Sequence, residues 1–273
     1  MYDALLEYLA CPACQSSLTL THHHRDTHGE ILQGQLHCYQ CQRSIPINEG
    51  IVDVLGMPRI TSLAHLINEL PPAAWGYERL WRPFALSLLS GESFGFAREL
   101  PLILDMARPE QAGLVVDIAC SAGLYARALA RRVSAGGHVA AVDHTWAMVR
   151  EARQRARAEG LQISFVRARA QQLPFRDACV ASIAIGGSLN EIGDLEGCLA
   201  ETRRALAPGA VFAAMTLTRH PRLFESAIQR LMKPGGVRFW TADDLLRRFE
   251  AHGLHVVRRE QHGIVLFTQA VPC

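Results

Sequence analysis

The chain is predicted to fold as an α/β protein. The expected core is a doubly wound, mostly parallel sheet of seven strands closed by an antiparallel C-terminal hairpin, and a small N-terminal module held by metal precedes it. Three observations carry this expectation. Apolar runs alternate with amphipathic stretches from Leu114 to Leu217, which forces parallel strands with right-handed helical crossovers. Two final segments that read as strands, 254–260 and 263–269, are joined by so little chain that only an antiparallel hairpin fits. Two Cys-x-x-Cys pairs, Cys11/Cys14 and Cys38/Cys41, stand close together near the N-terminus.

Composition sets the outer bounds. The 273 residues suffice for one large domain plus a small one, and 49% apolar with 20% charged residues is an ordinary globular balance. A formal net charge of +2 announces no nucleic-acid surface. Met1-Tyr2-Asp3-Ala4 shows no basic lead-in followed by an apolar run, and no apolar stretch approaches a membrane span. Four of the eight cysteines cluster while Cys120, Cys179, Cys198 and Cys273 are scattered. That pattern points to a reducing compartment, the cytoplasm, with one metal site and no disulfide framework.

In the first module, residues 1–57, each Cys-x-x-Cys knuckle turns two thiolates toward a common point. Four thiolates complete tetrahedral Zn2+ with no open position, so the site is structural. Some fifty residues bury too little apolar surface to fold unaided, and the metal substitutes for core. Leu5, Leu6 and Leu9 have helical spacing, and Ser44 to Ile51 reads as a strand and turn. His22, His23, His24 and His28 are placed at a solvated hairpin tip. The segment LLEYLACPAC…CYQCQRSIPINEGIVDVL resembles the small zinc-ribbon proteins that activate certain methyltransferases as separate subunits, and ribbons fused ahead of methyltransferase domains. The ribbon's role stays open between structural support for the cap and recruitment of a protein partner or a second copy.

Residues 58–110, with Tyr77, Trp81 and Arg82, read as a helical cap, and residues 111–273 as the main domain. Strands are expected at 114–118, 138–142, 162–167, 179–185 and 210–217, with helices near 123–132, 146–159, 195–206 and 241–252. The run Val115-Val116-Asp117-Ile118-Ala119-Cys120-Ser121-Ala122-Gly123 is a buried strand ending in a loop of small residues that opens a helix. A second strand ends in Asp143, whose carboxylate suits a ribose diol. The arginines Arg150, Arg153, Arg155 and Arg157 are read as a solvated helix face.

VVDIACSAG, AVDHTWAM, FVRARAQQLPF, RRALAPGAVFAAMTL and RFWTADDLLRRFEAHGL, in that order, resemble the motifs of class I S-adenosylmethionine (SAM)-dependent methyltransferases, nearest to the ubiquinone/menaquinone type. The resemblance implies SAM as cofactor, bound by Asp117, Ala119, Cys120, Ser121, Gly123, Asp143, His144, Met148, Arg169, Ala170 and Gly186. It further implies a small, largely apolar acceptor such as a quinone or polyketide. His144, Glu191 and Tyr77 are the candidate catalytic groups, with His220 behind them. Ala119 and Ser121 replace family glycines, and their side chains fit if φ stays negative. Arg169 replaces an acid that accepts from the adenine amino group, a contact a donor-only guanidinium does not make. Three rival functions stand beside this one. They are RNA methylation gripped by the ribbon, a SAM-fold protein that binds a partner or steers a rearrangement without methyl transfer, and a nicotinamide enzyme with Arg169 on a phosphate. The terminal hairpin speaks against the last.

Overall fold

Strands buried on both faces carry no polar alternation, and the five central runs have that character. A computed structural model describes residues 1–56, Ser87, 93–111, 113–219 and 236–273. Its centre is β5 (Leu114–Ile118), β6 (His138–Asp143), β7 (Ile163–Arg167), β8 (Val180–Gly186) and β9 (Leu206–Leu217), numbered after four strands of the N-terminal module. β5 pairs in parallel with β6 and β8, β6 with β7, and β8 with β9. Successive strands are therefore added in one direction from β5 to β7 and in the other from β8 to β9, and the crevice of a doubly wound fold opens at the C-terminal ends of the strands at this β5/β8 switch.

Helices α1 (Phe96–Ala107), α2 (Leu124–Ala130), α3 (Trp146–Ala158), α4 (Leu195–Ala205) and α5 (Ala242–Ala251) cover the sheet. Successive residues of a strand serve opposite faces. Val116 and Ile118 pack with Leu199, Phe212 and Phe249, while Val115 packs with Met106, Leu129 and Val149. The helix starts have chemical causes: Asp194 accepts from Gly197 N–H at the head of α4 (3.0 Å), and Thr241 from Asp244 N–H at the head of α5 (3.1 Å). After α5, Gly253 with φ +69° stops the helix. β10 (Leu254–His262) and β11 (Val265–Pro272) then form the expected hairpin, with β11 antiparallel to β9.

The N-terminal module begins with a 3-10 helix, Asp3–Tyr8, followed by β1 (Thr19–Arg25), β2 (Ile31–His37), β3 (Ser44–Asn48) and β4 (Ile51–Asp53). These pair antiparallel in sequence. The module is not a separate body. β4 runs parallel to β7, with Ile51 beside Phe165, Val52 beside Val166 and Asp53 beside Arg167. The described strands thus form one 11-stranded sheet in the order β1-β2-β3-β4-β7-β6-β5-β8-β9-β11-β10. The expected seven strands, β5 to β11, are all present, and the module covers what would otherwise be the open edge of β7.

Two expectations change here. His22, His23 and His24 lie on β1, with His22 at φ +45° where the pairing register slips; only His28 sits in the hairpin tip. Three of the four α3 arginines pair with acids of the module, although Arg150 and Arg157 remain exposed, and Arg155 pairs with Glu151 of its own helix. Arg153 donates to both oxygens of Glu30 (2.9 and 2.8 Å), Arg157 pairs with Asp26 (2.9 Å) and Glu30, and Arg150 pairs with Glu49 (2.9 Å). The helix presents its cations to acids of the module. Tyr77, Trp81, Arg82 and His220, with most of the expected cap, lie outside the described residues.

Candidate active site

The two knuckles are built alike. Gln15 and Gln42, each just after the second cysteine of its pair, have φ +59° and +60°. Cys11 N–H donates to the Ser16 carbonyl and Cys38 N–H to the Arg43 carbonyl, both at 2.8 Å. These turns bring the sulfur atoms of Cys11, Cys14, Cys38 and Cys41 within 4.8 Å of one another. Cys11 Sγ and Cys41 Sγ are 3.5 Å apart, as are those of Cys14 and Cys38. Zinc–sulfur bonds of about 2.3 Å imply edges of about 3.8 Å in a tetrahedron, so the four thiols fit Zn2+.

The crevice at the ends of β5 and β6 is organised by backbone. Asp117 is buried and its Oδ2 accepts the N–H of Ala126 (2.8 Å), tying α2 to the strand before it. In the intervening loop Ala119, Ser121 and Gly123 have φ of +54°, +49° and +81°. The condition under which Ala119 and Ser121 fit without strain, a negative φ, is not met: the loop keeps a glycine-like path and forces two side chains into the left-handed region. The surroundings hold it there, through Cys120 N–H to the Val142 carbonyl (3.0 Å) and Ser121 N–H to Asp143 Oδ2 (2.9 Å). Gly123 alone is irreplaceable by sterics, since a Cβ there would lie 2.9 Å from the Cβ of Ala152. Burial pushes the Cys120 thiol well above its usual pKa, so it fills space as a neutral group.

Asp143 is held from both sides. Its Oδ2 takes the Ser121 amide and its Oδ1 the Thr145 amide, each at 2.9 Å. Every carboxylate oxygen has about two acceptor positions, and the two amides use one on each. His144 is exposed beside it, Nδ1 at 3.5 Å from Oδ1. Met148 is buried under the loop and receives the Ser121 hydroxyl on sulfur (3.4 Å). Across the crevice Arg169 is exposed and Ala170 half-buried, in a tight turn closed by Gln172 N–H to the Arg169 carbonyl (3.0 Å). Gly186 is buried at the end of β8, and Gly187 at φ +80° turns the chain into a 3-10 helix, Ser188–Asn190.

Some organising residues were not anticipated. Buried Asn190 donates to the carbonyls of Leu217 (2.8 Å) and Arg238 (2.6 Å) and accepts from Leu217 N–H (2.8 Å), pinning this loop to β9. Its neighbour Glu191 faces outward. Arg167 and Asp53, both buried, join β7 to β4. A charged residue closing an otherwise apolar strand, FVR, was the available signal for Arg167.

Residues 115–209 match the family model described as a methyltransferase domain, and residues 3–50 match the Trm112p-like protein model. The chain joins a Trm112p-like module to a class I methyltransferase fold. It is 29% identical over 220 residues to an uncharacterized chloroplastic methyltransferase of Arabidopsis thaliana, covering 76% of this chain and 61% of the relative. It is 37% identical over 106 residues to the 2-phytyl-1,4-naphtoquinone methyltransferase of Trichormus variabilis, covering 38% of this chain and 46% of the relative. The chain thus spans less than two thirds of the length of these curated relatives. A solved chain from the complex between the Haloferax volcanii Trm112 methyltransferase activator and a methyltransferase superposes with TM-score 0.57 at 19% identity, over 78% of this chain and 99% of that one. In this methyltransferase fold the crevice lies where the motifs of the sequence converge. No helix of the described residues is long and apolar enough to cross a membrane.

Proposed function

We propose that the protein is a SAM-dependent methyltransferase acting on a small, largely apolar acceptor of the quinone class. The observation that carries the reading is Asp143, whose two carboxylate oxygens are each oriented by one backbone amide at the mouth of the crevice, with His144 beside Oδ1. The left-handed path of the loop through Ala119 and Ser121 supports it, because the shape that glycine confers is kept where glycine is absent. Naphthoquinone methyl transfer by the Trichormus relative supports the acceptor class.

Bound SAM would supply a methyl group already activated by its sulfonium. The chain's part is to hold the nucleoside, align the acceptor behind the methyl carbon and exclude water. For a phenolic or enolic acceptor, a side chain removes the proton. His144, adjacent to the ribose acid, and Glu191, after the Gly186–Asn190 turn, are our candidates, together with Tyr77. We take residues 1–57 as the zinc module, 58–110 as a cap over the acceptor and 111–273 as the catalytic domain. The thiol pattern supports a reducing, cytoplasmic setting. RNA as acceptor is disfavoured because the arginines of α3 that would offer a basic stripe are engaged by Glu30, Glu49 and Asp26.

The test is incubation with methyl-labelled SAM and a panel of demethylated naphthoquinones and benzoquinones, read by mass spectrometry. A product heavier by one labelled methyl, lost in Asp143→Asn, is expected. Removing the charge from this acceptor should weaken cofactor binding about 10- to 100-fold, the scale of a charge-assisted hydrogen bond. Unchanged quinones with an intact SAM pool would reject the proposal.

A further inference from the structure

Arg167 ends β7 and is 3% exposed. A guanidinium so deeply placed must have its donors satisfied, and the groups that satisfy it connect two parts of the molecule. Nη1 donates to Asp53 Oδ1 (3.0 Å) and to the Gly56 carbonyl, both in the N-terminal module or directly after it. Nε donates to the carbonyl of His144 (3.1 Å), and the guanidinium lies 5.7 Å from the ring centre of Trp146. His144 and Trp146 flank Thr145, whose amide orients Asp143. Asp53 is itself steadied by the amides of Leu55 and Gly56, both at 3.1 Å.

A second, independent set of contacts runs from the module to the opposite wall of the crevice. Gln172 Nε2 donates to the carbonyl of Pro12, inside the first zinc knuckle, at 2.8 Å. Ala10 N–H donates to the Pro174 carbonyl (3.0 Å), Arg176 N–H to the Tyr8 carbonyl (2.9 Å), and Leu9 forms an antiparallel bridge with Phe175. The loop 143–146 is thus tied to the module through Arg167, and the loop 169–176 through residues 8–12.

We propose that Arg167 is a positioning residue for the nucleoside, and that the zinc module, acting through Asp53–Arg167 and through Pro12–Gln172, holds both crevice walls in binding geometry. The inference rests on the SAM reading above. Ordering these loops in advance spares the cofactor that cost on binding. Coupling between two sites is reciprocal in binding free energy, so cofactor occupancy tightens zinc binding by the same factor by which zinc tightens cofactor binding.

The experiment titrates S-adenosylhomocysteine (SAH) into zinc-loaded wild type, Asp53→Asn, Arg167→Lys and the double variant by calorimetry, with zinc content and thermal midpoint measured on each. Lysine keeps the charge and loses the fork that reaches both Asp53 and His144. The expected result is about tenfold weaker SAH binding in each single variant, a typical coupling, with the effect of Asp53→Asn largely absent once Arg167 is replaced. Asp53→Glu, which retains the carboxylate, restores much of the affinity. A purely structural role lowers the midpoint while leaving the SAH Kd of the folded, zinc-loaded fraction unchanged, and that overturns the proposal. Wild type that binds no SAH overturns the SAM reading itself and the proposal with it. Should the variants fail to fold, the zinc affinity of wild type, measured by equilibrium competition with a chelator, decides the matter. Saturating SAH tightens it severalfold if the proposal holds, and an affinity indifferent to SAH refutes it.

Discussion

Glu30 is the keystone of the junction between module and methyltransferase domain, and removing it has a magnitude that the contacts allow to be worked out. Its side chain is 2% exposed and accepts two hydrogen bonds from Arg153, whose own side chain is 16% exposed. Gly50 is shaped around this pair: its φ is +75°, and a Cβ there would stand 2.6 Å from Arg153 Nε. Breaking a buried pair from one side costs about 3–5 kcal/mol, chiefly because the remaining charge is left without compensation. Arg153 has some access to water, so the lower figure of about 3 kcal/mol applies to Glu30→Ala. Arg157, 41% exposed, adds little. In a chain of this size each kcal/mol moves the midpoint by about 2–4 °C, giving a fall of about 6–12 °C in calorimetry. Glu30 also pairs with the buried Met1 ammonium at 3.3 Å, so Arg153→Met in the same background removes one of two stranded cations and should recover part of the loss. A midpoint within about 2 °C of wild type for Glu30→Ala, or a double variant no more stable than the single, would refute the reasoning.

Three further outcomes follow from single residues. Ala119→Gly relieves a left-handed alanine worth about 1–2 kcal/mol against about 0.5–1 kcal/mol of added chain freedom, so urea unfolding should show a net gain of up to about 1.5 kcal/mol; a loss contradicts the strain assigned to the loop. Cys38→Ser should abolish stoichiometric zinc by metal analysis and expose residues 1–50 to proteolysis, because the metal stands in for core there; full zinc retention contradicts a four-thiolate site. His138 is buried with Nε2 2.8 Å from Ser164 Oγ, and burial lowers its pKa from 6.5 to about 4. The unfolded chain therefore takes up this proton first, so stability present above pH 6.5 declines toward pH 4, by at most about 1.4 kcal/mol per pH unit. His138→Asn should flatten that slope in denaturant titrations at several pH values, and an unchanged slope contradicts the assignment.

Much of this architecture is legible in the residues, and the exceptions share a cause. Alternation from Leu114 to Leu217 and the terminal hairpin are local signals, and each element appears within a few residues of its expected place. The four cysteines and Asp143 are equally local. What escaped is pairing at a distance. Ile51–Asp53 and Ile163–Arg167 are both short apolar strands, and nothing in either names the other as its neighbour; the Asp53–Arg167 contact spans 114 residues. The arginines of α3 carry the same periodicity whether they meet water or acids, and those acids are dispersed over Asp26, Glu30 and Glu49. Ala119 and Ser121 show the converse: local preference argued for negative φ, and tertiary hydrogen bonds to Val142 and Asp143 overrode it.

The most direct measurement is a crystal structure of the zinc-loaded protein grown with saturating SAH. The account predicts ribose hydroxyls on the two oxygens of Asp143, the nucleobase between Met148 and Ala170, and the Arg167 bridge from Asp53 to His144 intact. Density for SAH elsewhere, or a crevice left vacant at saturating ligand with Asp143 facing water, would contradict it.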